Sequence, residues 1–407
     1  MKEFSLEIPV EPPKEFETLF LPLPKEYVED VYRKDEFLVL VGPQHPGSGH
    51  MRLIVRVKGD IIQDVIPDPG YVHRSMEKLA ENKLYIQNIP LIERPAIMDS
   101  ANFNLGYVRA IEMALDIEVP ERAKFIRTIL AELCRIGTHL YDAAILAVFL
   151  GHTTGFMYPF GIRELICEAL VRMTGARFTS SFIIPGGVRR DVDEKTLRWI
   201  YDATFAIEKR LKSFERIFIK NPTTIARLKN VGVLSKDEAI QFGVVGPFLR
   251  ACGVEYDTRI VEPYEAYEKV NWEIVTADEG DGYARFLVRV NEVSQSLSIV
   301  RQCISSIPQG RFVSDQICDE VRGNFFDKFA DLVLPAGEYT TLTEASRGTL
   351  LFTIVSDGES NVPYRFRIVT PSWLYLRGFM ESLKGERLAD LQAIYGSFGY
   401  FPPEADR

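Results

Sequence analysis

Cysteine is sparse in this 407-residue sequence, and what there is does not cluster: Cys134, Cys167, Cys252, Cys303 and Cys318 are an odd number with no C-x-x-C pair. A disulfide framework and a zinc or iron–sulfur cage on paired cysteines are therefore not expected, and reduced, mostly buried thiols are the plain reading. Long hydrophobic runs are also missing. The strongest apolar stretch, Ala143 to Leu150, is broken by His152, well short of the roughly 20 residues that span a bilayer. The opening MKEFSLEIPVEPPKEFE lacks a basic end running into an apolar segment, so a secretory leader is not expected. An excess of positive charge is absent: 48 Lys and Arg against 57 Asp and Glu give −9, without a long basic run. That balance argues against nucleic acid as the main partner. Nucleotide, hydrolase and metalloprotease signatures of the G-x-x-x-x-G-K, G-x-G-x-x-G, G-x-S-x-G and H-E-x-x-H kinds do not occur, which removes the main support for those activities.

What is present describes an ordinary globular chain, 46% hydrophobic and 26% charged, which excludes wholesale disorder, collagen and coiled coil. Residues 1–35 carry prolines among acidic residues and predict an extended arm lying outside the core. Residues 36–70 form an N-terminal β region, with strands expected at Phe37–Val41, Leu53–Val57 and Ile61–Ile66 around a Lys58-Gly59-Asp60 turn. Residues 71–335 make a helical core, with helices expected at Ala96–Leu115, Pro120–Leu150, Ile162–Met173, Asp193–Ile219 and Ala284–Ser306. An irregular stretch runs from Gly243 to Gly282. Residues 336–407 return to β/α, with strands at Gly348–Val355 and Tyr364–Val369 and a short helix near Leu388–Ile394. The fold class is α+β: a central helical bundle flanked by small antiparallel β elements from both chain ends.

Several segments carry chemistry. The loop GPQHPGSGH, Gly42 to His50, brings two imidazoles, His45 and His50, onto a backbone shaped by proline and glycine. It reads either as a proton-donating loop at a cleft or as a solvated hairpin loop. The segment H-R-S-M-E-K-L-A-E-N-K-L-Y places His73, Arg74, Glu77, Lys78 and Tyr85 within a few helical turns. Positive charge there would raise the potential of a nearby redox centre; a solvated helix face is the alternative. On the long helix, Glu132, Arg135, His139 and Asp142 fall opposite the apolar arc. They read as a satisfied polar face between packed helices or as a proton-carrying row. The segment G-G-V-R-R-D, Gly186 to Asp191, reads as a shaped turn opening the next helix.

Taken together, GPQHP at 42–46, H-R-x-x-E-K-L at 73–79, L-Y-x-Q at 84–87, P-G-G-V-x-x-D at 185–191 and Y-R-x-R-I at 364–368 resemble one family. It is the D subunit of NADH:quinone oxidoreductase, respiratory complex I, itself similar to the large subunit of [NiFe] hydrogenases. The resemblance runs from about Phe37 to the C-terminal L-A-D-L-Q-A-I and A-D-R. A [NiFe] hydrogenase holds its metals by two C-x-x-C pairs, whereas the corresponding stretches here, P-L-I-E-R-P-A-I-M and G-S-F-G-Y-F-P-P-E-A-D-R, have none. The resemblance therefore implies no metal on this chain. It implies a pocket, shared with the iron–sulfur B subunit, where quinone is reduced by that partner's [4Fe–4S] cluster. Tyr85 matches a tyrosine that hydrogen-bonds a quinone carbonyl, and His45 and His50 lie in the loop that supplies a histidine. His73 and Arg74 match residues beside the cluster. Gly49 stands in the register of the family's second loop histidine, Phe149 in that of an aspartate that pairs with it, and Arg189 in that of a histidine after G-G-V; Asp142 lies too far along the helix to replace Phe149 directly. The implied partners are the B subunit, the C subunit and the membrane arm, at the cytoplasmic face of the cell membrane, with the chain itself peripheral. NADH, ferredoxin and deazaflavin remain open as electron donors. A non-catalytic scaffold of the same complex, or a related complex reducing another acceptor such as a sulfur compound, are the competing readings.

Overall fold

The computed structural model describes residues 23–45, 49–317 and 329–407. Cys318 and the first 22 residues of the expected arm lie outside them. The described end of that arm is not extended. Lys25–Arg33 forms helix α1, whose Val28 and Val31, spaced three apart, are buried against Leu38 and Ile54. Pro24 serves as its N-cap residue.

The expected N-terminal strands form one antiparallel sheet, β1 (Phe37–Val41), β2 (Arg52–Lys58) and β3 (Ile61–Asp68). Gly59, at φ +62, makes the tight turn between the last two. After the short helix α2 (Met76–Ala80), two long helices follow, α3 (Ser100–Leu115) and α4 (Glu121–Phe149). Helix α5 spans Thr153–Thr174 and starts nine residues before the expected Ile162. Gly155, Pro159 and Gly161 hide this start in the sequence. In the fold, His152 Nδ1 caps it by accepting from the Gly155 amide at 2.7 Å.

A two-residue hairpin, β4 (Ile183–Ile184) and β5 (Gly187–Val188), precedes α6 (Glu194–Phe214), which runs into a wider π turn to Ile219. Helix α7 (Gly282–Ser306) packs along α4. The C-terminal sheet has three strands, β6 (Gly337–Ala345), β7 (Gly348–Ser356) and β8 (Arg365–Val369). The first was not legible, because its inward positions include Thr341 and Thr343 rather than aliphatics. The Thr341 hydroxyl is satisfied by the Gly106 carbonyl at 2.8 Å, which makes a polar residue acceptable there. Helices α8 (Leu376–Leu383), α9 (Leu391–Phe398) and α10 (Pro402–Asp406) close the chain.

Two main apolar cores result, beside smaller clusters such as that under α1. The larger joins α3, α4, α5, α6 and α7 to the inner face of β6–β8, and the smaller lies between the N-terminal sheet and α8–α9. The two ends of the chain thus meet on one flank of the bundle. Cys134, Cys167, Cys252 and Cys303 are free and buried. Among the described residues no helix is long and apolar enough to cross a membrane.

Candidate functional site

Large charged side chains lie inside this core, which sets the site's electrostatics. Arg127, Arg135, Arg250 and Arg285 are fully buried, and a buried cation persists only when paired and hydrogen-bonded. Arg127 donates to Glu112, to Glu265 and to the Gly187 and Ile184 carbonyls. Arg250 bridges Glu292 and Glu344, both at 2.8 Å. Arg259 joins Asp257 to Glu132 at 2.7 and 3.1 Å. Burial alone would raise Glu132, yet Arg135 and Arg259 hold its carboxyl down at about 2. The row Glu132, Arg135, His139 and Asp142 is thus buried between packed helices, a placement that both of its sequence readings allow.

At the end of that row the chain builds a cavity of about 400 Å³. Gln44, His45, Gly49 and His50 of the first loop form one wall. Tyr141, Asp142, Ile145 and Phe149 from the end of α4 form the second, and Tyr395, Gly399, Tyr400 and Pro402 from the C-terminus form the third. Two buried arginines fix the last wall. Arg289 of α7 donates to the Ser397 and Phe398 carbonyls. Arg347, from the turn between β6 and β7, donates to the Gly399 carbonyl at 2.7 Å, to Asp142 Oδ1 at 2.7 Å and to Glu404 Oε2 at 3.3 Å. Gly399 must be glycine: at φ +63, a Cβ would lie 2.9 Å from Asp142 Oδ2.

The sequence-derived residues divide between places. His45 and His50 share this cavity. Gly49, at φ +61, faces the Tyr395 hydroxyl so closely that a Cβ would sit 2.3 Å from it. Any side chain at position 49 would be crowded there. Asp142 and Phe149 both line the cavity although they lie seven residues apart on α4, because the cavity runs along the helix rather than across it. Asp142 lines this cavity despite its axial offset, with its carboxylate held by Arg347.

Tyr85 does not line this cavity. It lies in a one-turn 3-10 helix, Tyr85–Gln87, and is fully buried beside the C-terminal sheet. Its hydroxyl donates to the Val362 carbonyl at 3.2 Å, and its own carbonyl accepts from Tyr107 at 2.8 Å. Burial pushes its pKa up. The phenols that line the cavity with the imidazoles are Tyr141, Tyr395 and Tyr400, none of which carries a local motif. Only the helical phase of Tyr141 beside Asp142 could have pointed to one of them.

His73 and Arg74 sit on another face. His73 Nδ1 lies 2.6 Å from the Asp406 carbonyl oxygen, and Arg74 donates to the Arg94 carbonyl at 3.2 Å. Burial and the neighbouring Arg94 lower the Arg74 pKa. Exposed Tyr71 is next but one to His73, and the exposed Trp373 lines the same cavity as His73. Glu77 and Glu81 accept from the Ile368 and Phe366 amides, so α2 is docked on β8 rather than free in solvent.

The two cysteine-free stretches meet inside the molecule. Asp99, directly after the early one, accepts from the Ser346 amide at 2.6 Å, and Glu404, within the late one, is held by Arg347 and by the Ser372 amide. Burial raises both carboxyls, and Asp99 adds to the rise at Glu404. Among the described residues no cluster of three or more His, Cys, Asp or Glu could hold a metal ion.

This arrangement has known relatives. Residues 150–407 match the family described as respiratory-chain NADH dehydrogenase, 49 kDa subunit. An NADH-quinone oxidoreductase D subunit from Thermodesulfovibrio yellowstonii is 37% identical over 389 residues, covering 91% of this chain and 97% of that protein. The D subunit from Geotalea uraniireducens is 38% identical over 381 residues, covering 90% and 97%. Among solved structures, a chain of the membrane-bound sulfane sulfur reductase, an archaeal respiratory membrane complex, superposes with a TM-score of 0.86 at 35% identity, covering 92% of this chain and 99% of that one. With the fold, the cysteine-free centre and these matches in agreement, the chain belongs to the 49 kDa subunit family of the respiratory-chain NADH dehydrogenase.

Proposed function

We propose that this chain is the peripheral-arm subunit of a complex I-like oxidoreductase, and that the cavity between the first loop, the end of α4 and the C-terminus receives a quinone headgroup. The observation that carries this reading is the meeting of two imidazoles, three phenols and a carboxylate around a largely apolar cavity, in a chain related to quinone-reducing assemblies. Reducing a quinone to its quinol takes two electrons and two protons. The electrons would come from the iron–sulfur cluster of the neighbouring B subunit, and the chain's own part is to bind, orient and protonate. Imidazoles and phenols can hydrogen-bond the carbonyls and deliver protons, a contribution of about 10²–10⁴ in rate. We assign those roles to His45 and His50 with Tyr141 or Tyr400. Tyr85 is assigned a supporting part, since its hydroxyl is engaged by Val362.

The face carrying His73, Arg74 and Arg94 would meet the B subunit near its cluster. Its exposed cations would favour the reduced state, and Tyr71 and Trp373 supply apolar contact. C-subunit and membrane-arm partners, and a place on the cytoplasmic side of the membrane, follow from the same family reading. A second reading, reduction of a sulfur compound, is favoured by the sulfane sulfur reductase relative and by the position of Tyr85 outside the cavity.

The test uses the intact purified complex driven by a chemical reductant of its iron–sulfur chain. Ile145→Trp, which fills the cavity, and His45→Gln are expected to lower quinone reduction about tenfold or more at equal complex content. Reduction of a sulfane sulfur substrate but not of quinone by the wild type would select the second reading.

A further inference from the structure

The buried row on α4 continues beyond the cavity, and its partners lie on α7. The two helices run antiparallel, so rising positions on one meet falling positions on the other. Arg289 Nε is 4.0 Å from Asp142 Oδ2, and Glu292 Oε2 is 2.9 Å from His139 Nε2. Ser296 lies beside Glu132, where it helps hold that carboxyl low. At the cavity end, Asp142 lines the wall. At the far end, the Tyr267 hydroxyl donates to Glu132 Oε1 at 2.6 Å. Tyr267 in turn lines a second cavity of about 580 Å³, which includes Arg259, Glu268, Trp272 and Gln295 and opens beside the exposed Ile260. From Glu132 to Asp142 the rise along α4 is about 15 Å.

Two features set this row apart from a saturated ion-pair network. First, it is made of groups that can hand a proton on along a hydrogen bond: a phenol, a serine hydroxyl, three carboxylates and an imidazole. Second, several of its polar atoms are buried without a protein hydrogen-bond partner, among them Glu132 Oε2, His139 Nδ1 and Asp142 Oδ2. Each such atom costs about 1–3 kcal/mol unless water satisfies it, and buried polar seams of this kind hold ordered water. A water bridging such atoms would complete a hydrogen-bonded line along the row.

We propose that the facing polar rows of α4 and α7 are a hydrated proton relay, running from the cavity beside Tyr267 through Glu132, Ser296, Glu292 and His139 to Asp142 at the acceptor cavity. The proposal rests on the reading of that cavity as the site of acceptor reduction. Each step passes one proton and returns the carrier to its starting state. Two protons delivered at Asp142 balance the two electrons that the neighbouring subunit's iron–sulfur cluster, reduced twice in succession, passes one at a time to one acceptor molecule. His139 is the central carrier. Burial keeps its imidazole neutral at rest, and the Glu292 carboxylate at 2.9 Å compensates the charge when a proton arrives. His139 and Tyr267 touch no acceptor, so both are relay residues and not catalytic ones.

The test uses the intact complex with quinone as acceptor, in H2O and in D2O. His139→Gln keeps side-chain hydrogen bonding but carries no proton, and Tyr267→Phe removes only the hydroxyl at the outer end. The relay predicts that His139→Gln lowers kcat about tenfold, with KM unchanged and a larger rate ratio between the two solvents. Tyr267→Phe moves both quantities in the same direction by a smaller factor. Reduction of a one-electron dye that takes up no proton stays at the wild-type rate in both. A wild-type kcat and solvent ratio in both variants overturns the relay, as does a loss of complex yield with an unchanged ratio per complex. If His139→Gln does not assemble, Tyr267→Phe decides alone. Ile145→Trp separates the two proposals. Full quinone reduction with the cavity filled defeats the cavity reading and the relay with it, whereas loss there with unaffected relay variants defeats only the relay.

Discussion

Glu93 shows how far one residue's chemistry departs from its letter. Its carboxylate accepts from the Ser181 amide at 2.8 Å and from Asn104 at 3.2 Å. Burial outweighs these contacts and raises its pKa to about 7. The folded state therefore holds a proton that the unfolded chain releases above about pH 4.5. Its contribution to stability is present below that pH and is lost as pH rises toward 7, a total of about 3 kcal/mol. Glu93→Gln keeps the amide contacts and removes the titration. Urea unfolding of the purified chain at pH 5 and pH 7.5 should give a smaller loss of stability on raising the pH in the variant than in the wild type. An equal loss in both would show that Glu93 titrates normally. The sequence gives no hint of this, since P-L-I-E-R-P reads as a mixed polar stretch and the burial arises from packing against residues near 100 and 181.

At the scale of elements, the hairpin β4–β5 explains why P-G-G-V is spelled with two glycines. Gly186 has φ +79, and a Cβ on Gly187 would lie 2.2 Å from the Phe312 carbonyl oxygen. The chain passes there at backbone distance, with the Val188 amide donating to that oxygen and the Ser314 amide donating to the Gly186 carbonyl. The turn was legible as shape from its composition, but not what it holds. Gly187→Ala should lower stability by about 1–3 kcal/mol, the usual range for overpacking, measurable as a shift in the thermal unfolding midpoint. An unchanged midpoint would mean the segment near Phe312 moves freely. The long helix α4 illustrates the converse. Its apolar arc and polar row were both readable from a 3.6-residue period, since both faces are set by sequence spacing. Which helix covers the polar row could not be read, because α7, which does so, lies about 150 residues away along the chain.

At the scale of the molecule, the last residues return to the first sheet. The Asp406 carboxylate accepts from the Gly70 and Val72 amides at 2.9 and 3.2 Å, and Arg407 bonds the Ile368 carbonyl and approaches Glu77. This strap ties α10, whose Pro402 lines the cavity, to the segment that follows the first sheet. Asp406→Ala removes the acceptor of both amides, at a cost of about 1.5–3 kcal/mol for hydrogen bonds to a charged group. Hydrogen exchange should then speed up at Gly70 and Val72, with β6–β8 unaffected. Unchanged exchange at those amides would show that the strap is held elsewhere.

The sequence by itself determined the fold class, the order of the main helices, the N-terminal hairpins and the family, because periodicity, turn residues and ordered motifs are local properties of the chain. It also supplied both loop histidines of the cavity. Only the tertiary structure decided which phenols line it with them. Tyr85 sits in a motif yet is turned into the core, while Tyr141, Tyr395 and Tyr400 sit in none and line the cavity. The physical reason is that a cavity is a property of three segments brought together from residues 44–50, 141–149 and 395–402. Their meeting is fixed by buried arginines such as Arg289 and Arg347, whose partners no local spacing announces.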